Sequence, residues 1–190
     1  MKRRSPAAQL AAVRQKARLA MFMIRNVVAD DADAIAKVQV DTWRSAYNNL
    51  VPSEVLESLS YKQRSEYWKS VISREDREGI FLVAEEEANG VVGFCVCGIN
   101  RDEDSEFASE LYAIYVLEVH QDHGIGRALF EEYRKWTLDR GMTSMIVWVL
   151  RDNPYRRFYE TMGGEVVSER MISIGETELP EVACGWRTVT

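Results

Sequence analysis

One passage constrains this chain more than any other. An apolar run, Glu110-Leu-Tyr-Ala-Ile-Tyr-Val-Leu117, leads through a short connection into Gln121-Asp-His-Gly-Ile-Gly-Arg127, and an amphipathic stretch follows to Arg140. The run reads as a buried strand. In the stretch after it, Ile125, Leu129, Tyr133 and Trp136 recur on one helical stripe, and Gly141 ends the helix. Glycines where a strand turns into a helix let the backbone adopt positive φ and come close to a ligand. The first N–H groups of a helix have no intrahelical partner, and the helix dipole adds positive potential there. Together they form a site for phosphate or pyrophosphate, with Arg127 as a cation beside it. Two better-known glycine signatures fail. Leu129 stands where a dinucleotide fingerprint needs its third glycine, and no Gly-Lys-Ser/Thr follows as a P-loop requires.

The flanking segments predict a mixed layer of strands and helices. Met23–Val28 reads as a strand, and Asp30 or Asp31 caps a helix to about Tyr47. Pro52 opens a helical turn through Leu59, and Ser60 caps a helix from Tyr61 to about Ser73 with Tyr67, Trp68 and Val71 inward. Ile80–Glu86 and Val91–Gly98 form a hairpin about a two-residue Asn89-Gly90 turn. After the helix through Arg140 come a strand Ser144–Leu150, a helix from Asn153-Pro154 to Met162 closed by Gly163-Gly164, and strands Glu165–Ile174 and Leu179–Arg187. An antiparallel meander and a βαβ crossover share one sheet, so the fold class is α+β, or mixed α/β.

The 190 residues suit one domain, taken as 23–190, preceded by a basic arm at 1–22. The arm carries six basic residues and no acid, and the remainder carries 18 Lys+Arg against 30 Asp+Glu, a net −12. The arm admits three readings: an amphipathic basic helix with Leu10, Val13 and Ala17 on one face, a mitochondrial transit peptide, or an upstream extension of a chain that starts at Met21 or Met23. A dispensable arm is the expectation. An acidic body argues against nucleic-acid partners, and no apolar run is long enough to cross a membrane. Cys95, Cys97 and Cys184 form neither a disulfide framework nor a zinc pattern, and His120 and His123 are the only histidines. The expectations are therefore no metal, small core cysteines, and a reducing cytoplasm.

The segment Gln121–Arg127 resembles the acetyl-CoA-binding motif of the GNAT superfamily of N-acetyltransferases. Asp152-Asn-Pro-Tyr-Arg-Arg-Phe-Tyr-Glu160 with Met162-Gly-Gly164 resembles that family's later motif, an Asn followed by a helix bearing Phe-Tyr. The resemblance extends from Met23 to about Arg187, and Asp41-Thr-Trp-Arg-Ser-Ala-Tyr47 with Leu50-Val-Pro52 resembles a common bacterial subgroup. It implies a mixed, mostly antiparallel sheet of about seven strands with about four helices on both faces. It also implies a strand that splays from its neighbour, so that pantetheine lies against the backbone of Ile114, Tyr115 and Val116. The pyrophosphate loop maps to Gln121, Asp122, His123, Gly124, Ile125, Gly126 and Arg127, with Asn153 near the pantetheine arm and Tyr159 near the cofactor sulfur. The interval from Asn153 to Tyr159 is six residues, one short of the family's common seven, so Asp152 and Asn153 compete for the Asn position. Asn153 is also a natural cap before Pro154. Asp122 places a negative charge in the proposed anion loop.

The activity so implied is acetyl transfer from acetyl-CoA to a primary amine in a ternary complex, most simply a small molecule. The alternatives are a protein N-acetyltransferase and a non-catalytic acyl-CoA-binding module. A homodimer is common in the superfamily. The reaction needs a base for the amine, polarisation of the thioester carbonyl and a proton for the departing thiolate. Tyr159 is the candidate acid. Glu110 is the candidate base, on the face of Tyr112, Ile114 and Val116 by period-2 counting, with Glu85 and Glu86 as rivals. Trp43 and Tyr47, four apart on one helix face, are candidates to line the acceptor pocket, whereas Trp148 reads as core.

Overall fold

A computed structural model describes residues 22–75 and 78–189. The expectation for the basic arm therefore lies outside the described residues except at Phe22, which packs against the largest core cluster. The strands are β1 (Met23–Asn26), β2 (Ile80–Glu86), β3 (Gly90–Ile99), β4 (Ser109–Val116), β5 (Met145–Leu150), β6 (Glu165–Ile174) and β7 (Thr177–Trp186). The helices are α1 (Ala32–Ala46), α2 (Ser53–Ser58), α3 (Tyr61–Ile72), α4 (Ile125–Asp139) and α5 (Arg156–Thr161), one more than expected because the turn after Pro52 is helical enough to count.

All seven strands form one sheet in the order β1-β2-β3-β4-β5-β7-β6. Every neighbouring pair is antiparallel except β4 and β5, which the α4 crossover makes parallel. Alternate residues of the inner strands feed two apolar layers. Leu82, Ala84, Cys95 and Cys97 join the stripe of α4 and Tyr159 of α5, and Val83, Phe94 and Val96 join α1 and α3. With a layer on each face, β3 is buried along most of its length.

Three local expectations are corrected. The β2–β3 turn has three residues, Glu87–Asn89, not two, because Glu86 pairs with Gly90 and Asn89 Nδ2 donates back to Glu86 Oε2. Tyr67 is 51% exposed, since the inward stripe of α3 runs through Ser65, Trp68 and Ile72 and leaves Tyr67 beside it. Most consequential is β4. Cys97 pairs with Leu111 but Val96 with Ala113, so Tyr112 is an extra residue in β4, a β-bulge. The bulge resets the alternation. Leu111, Ile114 and Val116 face the α4 layer, and Tyr112, Ala113 and Tyr115 face α1. Period-2 counting across Tyr112 therefore misplaces Glu110.

Candidate active site

β4 and β5 pair only through Ser109–Leu111 and Met145–Val147. Beyond that point β4 stays with β3 to Val116, while β5 turns with β7 to Leu150, and the two strands diverge. The gap is a cavity of about 360 Å³ lined from β4 by Tyr112 through Val116 and from β5 by Val147, Trp148 and Val149. Ile114, Tyr115 and Val116 thus present main chain to it, unpaired with β5.

The connection from β4 to α4 closes one end. Gln121 Nε2 donates to the Val116 carbonyl at 3.0 Å, and His120 Nδ1 lies 3.1 Å from Glu86 Oε1, which ties the connection to the end of β2. Asp122 takes φ 60° and Gly124, the N-cap of α4, φ 85°. Aspartate tolerates that region and glycine occupies it freely. Gly124 offers no capping side chain, so the first N–H groups of α4 keep no partner of that kind. A Cβ on Gly126 would meet only the Phe158 ring, at 3.7 Å. Gln121, Asp122, Gly124, Gly126 and Arg127 line the cavity; His123 is exposed, and the Ile125 side chain is buried in the core.

Phenols occupy the middle of the cavity. Tyr47, Tyr115 and Tyr159 all line it. The Tyr115 hydroxyl accepts from Trp43 Nε1 at 3.1 Å, whereas the Tyr159 hydroxyl has no hydrogen-bond partner among the described residues. Burial, then the field of Tyr115, pushes the Tyr159 hydroxyl well above the ordinary phenol value. Burial and the neighbouring Tyr115 and Tyr159 do the same to Tyr47, partly offset by the nearby Asn153 side chain. All three therefore remain protonated at neutral pH. Asn153 is 7% exposed, lines the cavity, and accepts the Tyr155 N–H at 2.9 Å; the exposed Asp152 does not line it. Between the two, Asn153 occupies the site, and it serves as a turn cap as well.

Two proposed residues lie elsewhere. Glu110 does not line the cavity. It is 3% exposed, and its carboxylate accepts the Arg101 Nε at 2.9 Å and a second Arg101 nitrogen. The bulge at Tyr112 removes the face relation on which its role as a base rested. Glu85 and Glu86 are also committed, to Arg25 and to His120 with Asn89. Trp43 stands behind the wall that Tyr47 forms, with ring centroids 4.8 Å apart. Conversely, Thr42, Tyr112 and Trp148 line the cavity without having been singled out for it. No motif marks them, because they come from three separate elements.

A mixed sheet parted between two parallel strands, with a glycine-opened helix at the parting, defines a GNAT-type acyltransferase fold. The model of the acetyltransferase (GNAT) family matches residues 39–163, and this chain belongs to that family. It is 40% identical over 166 residues to YuaI, an uncharacterized N-acetyltransferase of Bacillus subtilis (strain 168), covering 87% of this chain and 93% of that one. Among solved structures it resembles the PaiA N-acetyltransferase of Thermoplasma acidophilum in complex with coenzyme A (TM-score 0.65, 22% identity, 84% of this chain and 97% of that one). It also resembles YncA of Salmonella typhimurium, solved with its cofactor acetyl-CoA (TM-score 0.65, 18% identity, 89% and 94%). Among the described residues no helix is long and apolar enough to cross a membrane.

Proposed function

We propose that this acetyltransferase takes its acetyl group from acetyl-CoA and passes it directly to a primary amine of a small molecule, with both substrates bound at once. The observation that carries the reading is the single cavity between β4 and β5, which joins the uncapped start of α4 to an aromatic mouth beside α1 and has the unengaged Tyr159 hydroxyl on its wall. The residues present fit the cofactor. Gly124 and Gly126 leave the helix start open to a pyrophosphate, Arg127 adds a cation, and the edge of Ile114–Val116, unpaired with β5 though Gln121 takes the Val116 carbonyl, offers main-chain groups to an extended amide chain.

Acetyl-CoA supplies a thioester, whose carbonyl carbon the amine attacks. Tyr159 Oη holds its proton at neutral pH and donates it toward the departing sulfur. Asp122 is the only carboxylate residue lining the cavity among the described residues, and it sits in the anion loop. The amine therefore gives its proton to water. On this reading the protein works in the cytoplasm, residues 23–190 are the catalytic domain, and a chain that begins at Phe22 melts and binds cofactor like the full one.

The test is release of free thiol from acetyl-CoA across a panel of amines. Amine-dependent release supports the reading. Tight acetyl-CoA binding without release for any amine replaces it with a non-catalytic acyl-CoA-binding module.

A further inference from the structure

The α1 side of the cavity has an aromatic rim with an arginine on each part. Tyr112 of β4 and Trp148 of β5 line the cavity on either side of the strand divergence. The Arg101 guanidinium lies 4.6 Å from the Tyr112 ring centroid, and that of Arg170 lies 3.9 Å from the Trp148 ring centroid. A buried carboxylate holds each arginine from behind. Glu110 grips Arg101, and Glu181 accepts Arg170 Nε at 2.5 Å. The carboxylate side chains are 4% and 9% exposed and the arginine side chains 65% and 50%. The Glu181 charge adds, as the smallest contribution, to the raised pKa of Arg101.

These contacts leave donors unused. Glu110 engages Nε and Nη2 of Arg101, and Glu181 engages Nε of Arg170. Nη1 of Arg101 and both Nη atoms of Arg170 have no partner among the described residues. Asp102, next in sequence, accepts the Asp104 N–H within its own turn. A guanidinium fixed by a carboxylate behind and a ring beneath has already lost most of its rotamer freedom, so it binds an incoming anion at little further entropic cost. Its planar N–H edge matches a carboxylate in two-point geometry. A polyamine, by contrast, would bring N–H donors to N–H donors.

Resting on the acetyltransferase reading above, we propose that the acceptor amine carries a carboxylate, as an amino acid does, and that Arg101 and Arg170 hold that carboxylate at the cavity mouth.

The test compares matched acceptors, each amino acid with the amine left by its decarboxylation (phenylalanine with phenethylamine, tyrosine with tyramine), in the thiol-release assay. The wild-type protein prefers the carboxylate-bearing member by at least about 10-fold in kcat/KM, the size of one charge-assisted hydrogen bond. Arg101→Lys and Arg170→Lys still neutralise Glu110 and Glu181 but lose the planar edge. In each, the preference falls toward one, chiefly through KM, and the N-acetyl amino acid binds CoA-saturated enzyme about 10-fold more weakly by calorimetry. Where a lysine variant does not fold, Arg170→Gln/Glu181→Gln keeps a neutral hydrogen-bonding pair and gives the same readout. A wild-type preference for the decarboxylated amines overturns the proposal and leaves the acetyltransferase reading intact. So does an equal loss for both members in the variants, which marks a structural role. Acetyl-CoA binding with no turnover of any amine overturns that reading and the proposal together.

Discussion

At the α4 end of the cavity the surface offered to a ligand is largely main chain: the unpaired edge of Ile114–Val116 and the helix start behind Gly124 and Gly126. At the α1 end it is side chain: Thr42, Tyr47, Tyr112 and Trp148, drawn from α1, its C-cap and two strands. The difference decides what each end can recognise. Main-chain donors fixed by a helix suit a ligand part that never varies, such as a pyrophosphate. Side chains on separate elements change one at a time, so they suit the substrate that distinguishes one family member from another.

The sharpest way to break this division is at Tyr159, which lies between the two ends. Tyr159→Phe keeps the ring packed and removes only the hydroxyl, and kcat falls by about 10²–10⁴-fold while acetyl-CoA affinity stays nearly constant. Steady-state kinetics with an accepted amine checks it, and equal kcat would retire the phenol as the proton donor. Gly126→Asp attacks the main-chain end alone. The new Cβ meets only the Phe158 ring at 3.7 Å, so the fold survives, but a carboxylate now stands at the helix start. Acetyl-CoA affinity drops by about 100-fold by calorimetry, the loss of two charge-assisted hydrogen bonds.

The pH profile probes what lies between. Burial raises the Tyr159 pKa, so its proton is present throughout neutral pH and is lost only above the ordinary phenol value near 10. On the proposed mechanism water, not a cavity carboxylate, takes the amine proton. Log kcat/KM therefore climbs about one unit per pH unit until the amine's own pKa, with no alkaline fall below about pH 10. A plateau beginning near pH 5 would reinstate an enzyme carboxylate. The smallest effect belongs to the side-chain end. Thr42 is 5% exposed, and its hydroxyl is fully shielded from solvent with no hydrogen-bond partner among the described residues. Thr42→Val removes that unpaired group at nearly constant volume and stabilises the protein by about 1 kcal/mol, a rise in Tm of about 2–4 °C.

The same division governs how much could be read from the sequence. Gln121–Arg127 was legible as a candidate anion loop because its residues are consecutive and carry local reasons, glycine for backbone freedom and an amphipathic stripe for the helix behind it; five of the seven line the cavity, while His123 is exposed and Ile125 lies in the core. The mixing of an antiparallel meander with one βαβ crossover was legible too, but the place of β7 between β5 and β6 was not. The side-chain end was not legible. Tyr47, at the C-cap of α1, lines the cavity, whereas Trp43 one turn earlier packs on Tyr47 and donates to Tyr115. Glu110 was misread because a bulge at Tyr112 leaves no mark in composition, yet it reverses the facing of every residue on its other side. Trp148 passed for core since an apolar strand looks the same whether its neighbour pairs with it or parts from it. The strand divergence is a property of two segments more than thirty residues apart, and neither records it alone.

That divergence is the centre of the account, and amide hydrogen exchange with and without acetyl-CoA tests it most directly. Binding in the gap predicts slowed exchange in two segments, Ile114–Val116 and Gln121–Arg127, with α3 and β6 unchanged. Saturating acetyl-CoA that leaves both segments exchanging as before, or that protects a different surface, would contradict the placement of the cofactor between β4 and β5.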